Sequence, residues 1–159
     1  MAHKNEERVL VIMKPDCLLR SLLGEIIHRF ERKGLRIVGL KMAHLDLAKL
    51  EEHYFHHKDK PFFPAVAKYM MSSPVVLMAL SGMNAIEAAR LITGERKGHS
   101  AAAGTIRGDF SLSGTMTIVH ASDTVENGEA EVKRFFTEKE LFEYNKLEFG
   151  YQYGAQELE

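Results

Sequence analysis

A histidine stands at the end of an apolar run in TIVHASDT, residues 117–124. Thr117, Ile118 and Val119 read as a strand, and Ala121, Ser122 and Asp123 as the approach to a helix. His120 therefore sits where a buried strand meets a polar turn. An imidazole in that place can be a packed residue with one satisfied hydrogen bond, a nucleophile, a base or a metal ligand. As a nucleophile, it attacks phosphorus through one ring nitrogen while the other donates its proton to a carboxylate or carbonyl that fixes the tautomer. Glu131 is a candidate for that acceptor. It lies on the helix after the strand, in register with Phe135 and beside Val132, at the border of the apolar face. The alternative for Glu131 is a surface charge. A Ser-His-Asp hydrolase is a poor reading, because Ser122 and Asp123 are too close in sequence to flank one imidazole on opposite sides.

Cationic residues suggest what such a histidine would act on. GTIRGDF, residues 104–110, places glycines on both sides of Arg107, whose planar fork suits phosphate. Arg90 lies in the last turn of a helix, where it can equally well offset the helix dipole. Lys14 ends a strand beside Pro15. Lys14, Arg90, Arg107 and His120 all fall at element ends or in loops, so a single cleft can gather them into a phosphate site. His53, His56 and His57 form another cluster, which reads more simply as a solvated helix end. No cysteine or carboxylate joins them at a ligand spacing, so no metal-ligating residues are assigned. The chain has no G-x-x-x-x-G-K-[ST], no G-x-G-x-x-G and no H-E-x-x-H.

The elements that must position these residues are legible from periodicity. RVLVIM (8–13) is a first strand, followed by a break at KPDCLLR and an amphipathic helix over 21–33 that stops at Gly34. LRIVGLKMAHL (35–45) is a longer second strand, and Asp46 caps a helix through Tyr54. HHKDKPFF is a loop, and a short helix follows over 65–71. A third strand starts at Pro74 and ends at Gly82, and a helix follows that ends before Gly94. Residues 95–116 read as one long loop. The fourth strand carries His120, and a helix over 123–136 follows it. Thr137 and Glu140 form a capping box, ahead of an aromatic, irregular tail. Stripped of inserts the order is βαββαβ. It predicts an α+β fold of the ferredoxin-like plan: an antiparallel sheet with helices on one face, plus inserted helices, a long loop before the last strand and a C-terminal extension.

Bulk properties fit one domain over residues 1–159. Lys+Arg 21 against Asp+Glu 22 gives a net charge of -1, so no global field recruits nucleic acid or an acidic membrane. The lone cysteine, Cys17, excludes an internal disulfide and reads as a small buried residue. The charged start MAHKNEERV has no apolar h-region, and no run approaches the ~20 apolar residues that span a bilayer. A cytoplasmic protein is expected.

Taken together, the segments KPD (14–16), GEII-RFE-KG (24–34), HY (53–54), KPFF (60–63), SPVV (73–76), GTIRGDF and VHASD (119–123) resemble the nucleoside diphosphate kinases. The resemblance runs collinearly from about Arg8 to Tyr144 and agrees with the ferredoxin-like plan. It implies a ping-pong exchange in which a nucleoside triphosphate, usually ATP, phosphorylates His120 and a second nucleoside diphosphate takes the phosphate. It implies that Glu131 orients His120 and that Ser122 supports that contact. Lys14 and Tyr54 would lie near the terminal phosphate, and Phe62 would stack on the base. Arg90 and Arg107 would bind phosphates, and Mg2+ would bridge phosphate oxygens. Two positions depart from the family pattern: Arg96 stands where a phosphate-binding Thr is usual, and Thr117 where an Asn near the ribose is usual. Ala121 replaces a usual glycine. The resemblance also implies a homo-oligomer, a hexamer or tetramer, with the tail over 147–153 as a possible clasp between subunits. It implies nucleotides as partners, with no membrane and no specific nucleic acid.

Overall fold

The computed structural model describes residues 6–158. Of the charged start MAHKNEERV, residues 1–5 lie outside the described residues. Four strands form one antiparallel sheet: β1 (Glu6–Met13), β2 (Arg36–Ala43), β3 (Val75–Met83) and β4 (Val119–Ala121), in the order β2-β3-β1-β4. The central strands β1 and β3 read as continuous apolar runs rather than alternating ones, because both of their faces are covered. Edge strand β2 alternates toward its exposed end.

Strand periodicity divides the core into two layers. Val9, Val11, Met13, Val76, Met78 and Leu80 point to one side. There they meet Ile26 and Phe30 of α2 (Leu23–Arg32) and Ala85 and Ala89 of α5 (Ala85–Thr93). These two helices are those of the βαββαβ plan, and they share a face as that plan requires. Leu10, Ile12, Leu77 and Ala79 point to the other side. This second face is not bare. It is covered by α3 (Leu47–His53) through Leu50, α4 (Phe63–Met70) through Phe63, Ala67 and Met70, and α7 (Val125–Phe135) through Val132 and Phe135.

The structure departs from the sequence reading in four places. A five-residue helix, α1 (Pro15–Leu19), follows β1 where only a break was expected. Proline at its first position costs no helical hydrogen bond, and Lys14 before it is extended (ψ 170°), as a residue preceding proline must be. The segment read as one long loop contains a 3-10 turn (Gly98–Ser100) and α6 (Ile106–Phe110), whose cap Thr105 accepts a hydrogen bond from the Gly108 N–H at 3.0 Å. Two glycines here are required by the loop's own packing. A Cβ on Gly108 would sit 2.0 Å from the Ala102 carbonyl oxygen, and one on Gly94 (φ +82°) 2.3 Å from Oγ1 of Thr105. The fourth strand is shifted: it spans Val119–Ala121, and Thr117 and Ile118 precede it. Finally, the tail is not wholly irregular. It forms α8 (Phe149–Gln152), and the Tyr153 hydroxyl accepts a hydrogen bond from the Met83 N–H at 3.2 Å.

Cys17 is fully buried, and burial, with Asp16 beside it, pushes its thiol up to about 12, which makes it inert. Among the described residues no helix is long and apolar enough to cross a membrane.

Candidate active site

His120 is the middle residue of β4 and pairs with Ile12 of β1. Its strand neighbours Val119 and Ala121 enter the layer that holds α2 and α5. Alternation therefore turns the imidazole to the other face, toward α3, α4 and α7. The sequence reading began this strand at Thr117 and had His120 end its apolar run; the strand instead spans Val119–Ala121, with His120 at its centre. What shifts the strand is Ile118, fully buried with φ +67°. That conformation is a genuine outlier for a β-branched residue and persists only where surroundings hold it. Here they do. The Ile118 N–H donates to Oδ2 of Asp16 at 3.1 Å, and its carbonyl accepts from the Lys14 N–H at 2.8 Å. Asp16, itself buried, also accepts from the Tyr69 hydroxyl of α4. The KPD turn thus pins the strained residue that aims the histidine.

Helix α7 packs Val132 and Phe135 into the core, and this brings Glu131 against β4. Glu131 Oε2 lies 2.9 Å from Nε2 of His120 and 2.6 Å from Oγ of Ser122. Burial pushes the Glu131 carboxyl up, but the bonds from His120 and Ser122 outweigh it and hold the group below the ordinary carboxylate range. An ionised Glu131 has no proton to give, so the 2.9 Å bond requires Nε2–H, and the lone pair of His120 is on Nδ1. Ser122 is fully buried; its oxygen also accepts from the Leu10 N–H at 3.0 Å, which fixes the carboxylate to the central strand.

A cavity of about 530 Å³ opens beside His120. Lys14, Tyr54, Phe62, Arg90, Arg96, Arg107, Thr117 and Glu131 all line it. Of the residues singled out in the sequence only Ser122 does not, because it stands behind Glu131. The Lys14 ammonium donates to Oγ1 of buried Thr117 at 2.9 Å. Burial, with Arg107 and Arg96 nearby and Asp16 in opposition, lowers the Lys14 ammonium to about 8. Arg107 donates to the carbonyls of Val119 at 2.8 Å, Gly94 at 3.0 Å and Thr117 at 3.3 Å, and so ties β4 to the loop and to the end of α5. Burial together with Arg90 and Arg96 lowers its guanidinium to about 10. Burial is the larger cause in both groups, and the neighbouring cations add to it. Arg90 and Arg96 are exposed at the rim. Phe62, at the start of α4, is 47% exposed, a ring with one face free. Burial, with Glu131 nearby, pushes the Tyr54 phenol up to about 12, so it remains a neutral donor.

One participant was missed in the sequence. His53 is buried, and its ring meets that of His120 edge-to-face, with centroids 4.9 Å apart. Burial, then the nearby His120, lowers it to about 3 and keeps it neutral. His56 and His57 are exposed, so the cluster read as a solvated helix end divides between core and surface. His53 follows Leu50 by three residues, a helical spacing that aligns both on the buried face of α3, and this with the pairing HY was the available signal.

Comparison with known proteins identifies the family of the chain. Residues 7–141 match the family model described as nucleoside diphosphate kinase. The nucleoside diphosphate kinase of Pyrococcus horikoshii is 50% identical over 141 residues, covering 87% of this chain and 90% of that protein. Nucleoside diphosphate kinase B of Bos taurus is 42% identical over 153 residues, covering 96% of this chain and 99% of its own. A halophilic nucleoside diphosphate kinase from Halobacterium salinarum, solved in complex with CDP, superposes with a TM-score of 0.90 at 36% identity, covering 94% of this chain and 99% of that one. With a half-buried histidine–carboxylate pair at the mouth of a cation-lined cavity, and matches that span nearly its full length, this chain belongs to the nucleoside diphosphate kinase family, enzymes that move the terminal phosphate of a nucleoside triphosphate to a nucleoside diphosphate through a phosphorylated histidine.

Proposed function

We propose that the chain, acting as a single domain, carries out this exchange through Nδ1 of His120. The observation that carries the reading is the shared Oε2 of Glu131, bonded to both His120 and Ser122. In the first half-reaction the Nδ1 lone pair attacks the γ-phosphorus of ATP in line with the departing β-phosphate oxygen. The N–P bond forms as the P–O bond breaks, and the bonding pair leaves on ADP. Positive charge grows on the imidazole, and the Glu131 carboxylate stabilises it through the Nε2–H. A second nucleoside diphosphate then reverses the step with its terminal oxygen as nucleophile.

The cations would divide the polyphosphate between them. Lys14 and Tyr54 face the phosphate nearest His120, while Arg90, Arg96 and Arg107 take the remaining oxygens. Arg96 adds a charge where the family pattern has a neutral Thr. The Thr117 hydroxyl accepts a hydrogen bond from Lys14 and keeps its own O–H to donate, so it holds the lysine and still has a donor for a ribose oxygen. Phe62 offers a stacking face that any base can use. The donor set fits a magnesium–nucleotide complex: the cavity carries cations for phosphate, and its carboxylate, Glu131, is occupied by His120 and Ser122. Mg2+ bound through the phosphates would neutralise charge developing on the β- and γ-oxygens. The reading includes a cytoplasmic homo-oligomer, hexamer or tetramer. Leu147 and Tyr151 in the tail, 97% and 94% exposed, are available to a neighbouring subunit.

Intact-protein mass after incubation with ATP and Mg2+, then with GDP, tests the mechanism. One acid-labile phosphate appears on the wild-type chain, leaves as GTP forms, and never appears on His120→Ala although that variant still binds ATP. Exchange by His120→Ala would overturn it.

A further inference from the structure

His53 has no role in the exchange just described, yet it is buried against the reacting residue. Its Nε2 is enclosed without a hydrogen-bond partner among the described residues. Its Nδ1 has only a long contact, 3.4 Å, from Arg134, which also holds Glu52 at 3.4 Å. A buried, unsatisfied ring nitrogen costs stability and calls for a reason. One ligand atom from each of His53, His120 and Glu131 lies within 4.8 Å of the others. Two imidazoles and a carboxylate form a donor set for zinc-like cations, and not for Mg2+, which prefers an octahedron of oxygens.

We propose that His53, His120 and Glu131 form a site for a zinc-class divalent cation, distinct from the Mg2+ carried by the nucleotide, and that its occupancy switches the histidine off. Tetrahedral ligands on zinc stand ~3.3 Å apart at ordinary bond lengths. The 2.9 Å His120–Glu131 pair needs to open only slightly, while the rest of the cluster closes in from 4.8 Å.

The inhibition follows from the tautomer and rests on the proposed role of His120. In the free enzyme Glu131 holds the ring proton on Nε2. A cation taking Nε2 displaces that proton. A neutral ring then carries it on Nδ1, where the nucleophilic lone pair had been. No net proton is lost, and no electrons are transferred. The cation caps the nucleophile by moving one proton across the ring.

The test titrates the full chain with Zn2+ by calorimetry and with Co2+ by visible absorption, in saturating Mg2+ without nucleotide. Phosphohistidine formation from ATP is then followed at each zinc occupancy. The wild-type chain binds one equivalent, cobalt gives the intense d–d bands of a low-coordinate nitrogen–oxygen site, and phosphorylation falls in proportion to occupancy. His53→Asn loses at least about tenfold in zinc affinity, and its inhibition shifts to the same extent. Absence of one-to-one binding to wild type overturns the proposal. So does a folded His53→Asn that binds and is inhibited as wild type is, which would assign the metal to surface histidines such as His56 and His57. If His53→Asn does not fold, Glu131→Gln decides: unchanged cobalt bands in that variant overturn the site. Failure of the zinc-free wild type to form phosphohistidine would overturn the proposed function instead, and the cobalt spectrum would still judge the metal.

Discussion

Oε2 of Glu131 lies 2.9 Å from Nε2 of His120, and this contact decides which nitrogen of the imidazole can react. The carboxylate is itself held at 2.6 Å by Ser122, which reaches back to β1 through the Leu10 N–H. Glu131→Gln keeps the shape but removes the charge that stabilises the imidazolium. A hydrogen bond to a charged group is worth about 1.5–3 kcal/mol, so single-turnover phosphorylation of His120 should slow by about ten- to a hundredfold. Rapid-quench measurement of phosphohistidine checks this; an unchanged rate would remove Glu131 from the mechanism.

Lys14 gives the site a pH limit. Burial, then Arg107, lowers its ammonium to about 8. Only the charged form attracts polyphosphate, so nucleotide affinity is full below that value and is lost as pH rises through it. KM for a nucleoside diphosphate should increase about tenfold between about pH 7 and about pH 9. The linked effect on folding has the opposite sign. Between 8 and the ordinary lysine value of 10.5 the unfolded chain binds the additional proton, so this group makes the fold more stable as pH rises. Urea titrations beside the kinetics separate the two trends. Lys14→Met should flatten both.

Phe62 is 47% exposed beside the cavity, and its ring can offer a base only a stacking face. Phe62→Ala should weaken ADP and CDP alike, by about 1–3 kcal/mol, as loss of a stacking face does. Calorimetry with both nucleotides checks this. A loss confined to one base would mean that the ring reads base identity.

Arg107 is both a phosphate cation and a brace. Its fork holds the carbonyls of Val119, Gly94 and Thr117 at 2.8, 3.0 and 3.3 Å. A lysine cannot span these three acceptors. Arg107→Lys should therefore cost about 2–3 kcal/mol in urea unfolding as well as activity. Lost activity with unchanged stability would leave the residue a phosphate contact alone.

Much of this was legible in the chain. Local patterning determines the strands, the long helices, the βαββαβ order and the caps at Asp46 and Thr137, because each depends on neighbours within a few residues. Family motifs brought His120, Lys14, Phe62, Arg90 and Arg107 together in expectation, and all five line one cavity. Only the tertiary structure decided the rest. That His120 lies inside β4 depends on the positive φ of Ile118, which Asp16 stabilises from 102 positions away. That His53 is core while His56 is surface depends on α3 packing beneath β4, which helical spacing does not reveal. That Thr117 binds Lys14, and that one oxygen of Glu131 serves two donors, are relations between side chains distant in sequence. Periodicity determines which face a residue takes. Only the closed sheet and the helices on both of its faces decide which residue it meets there.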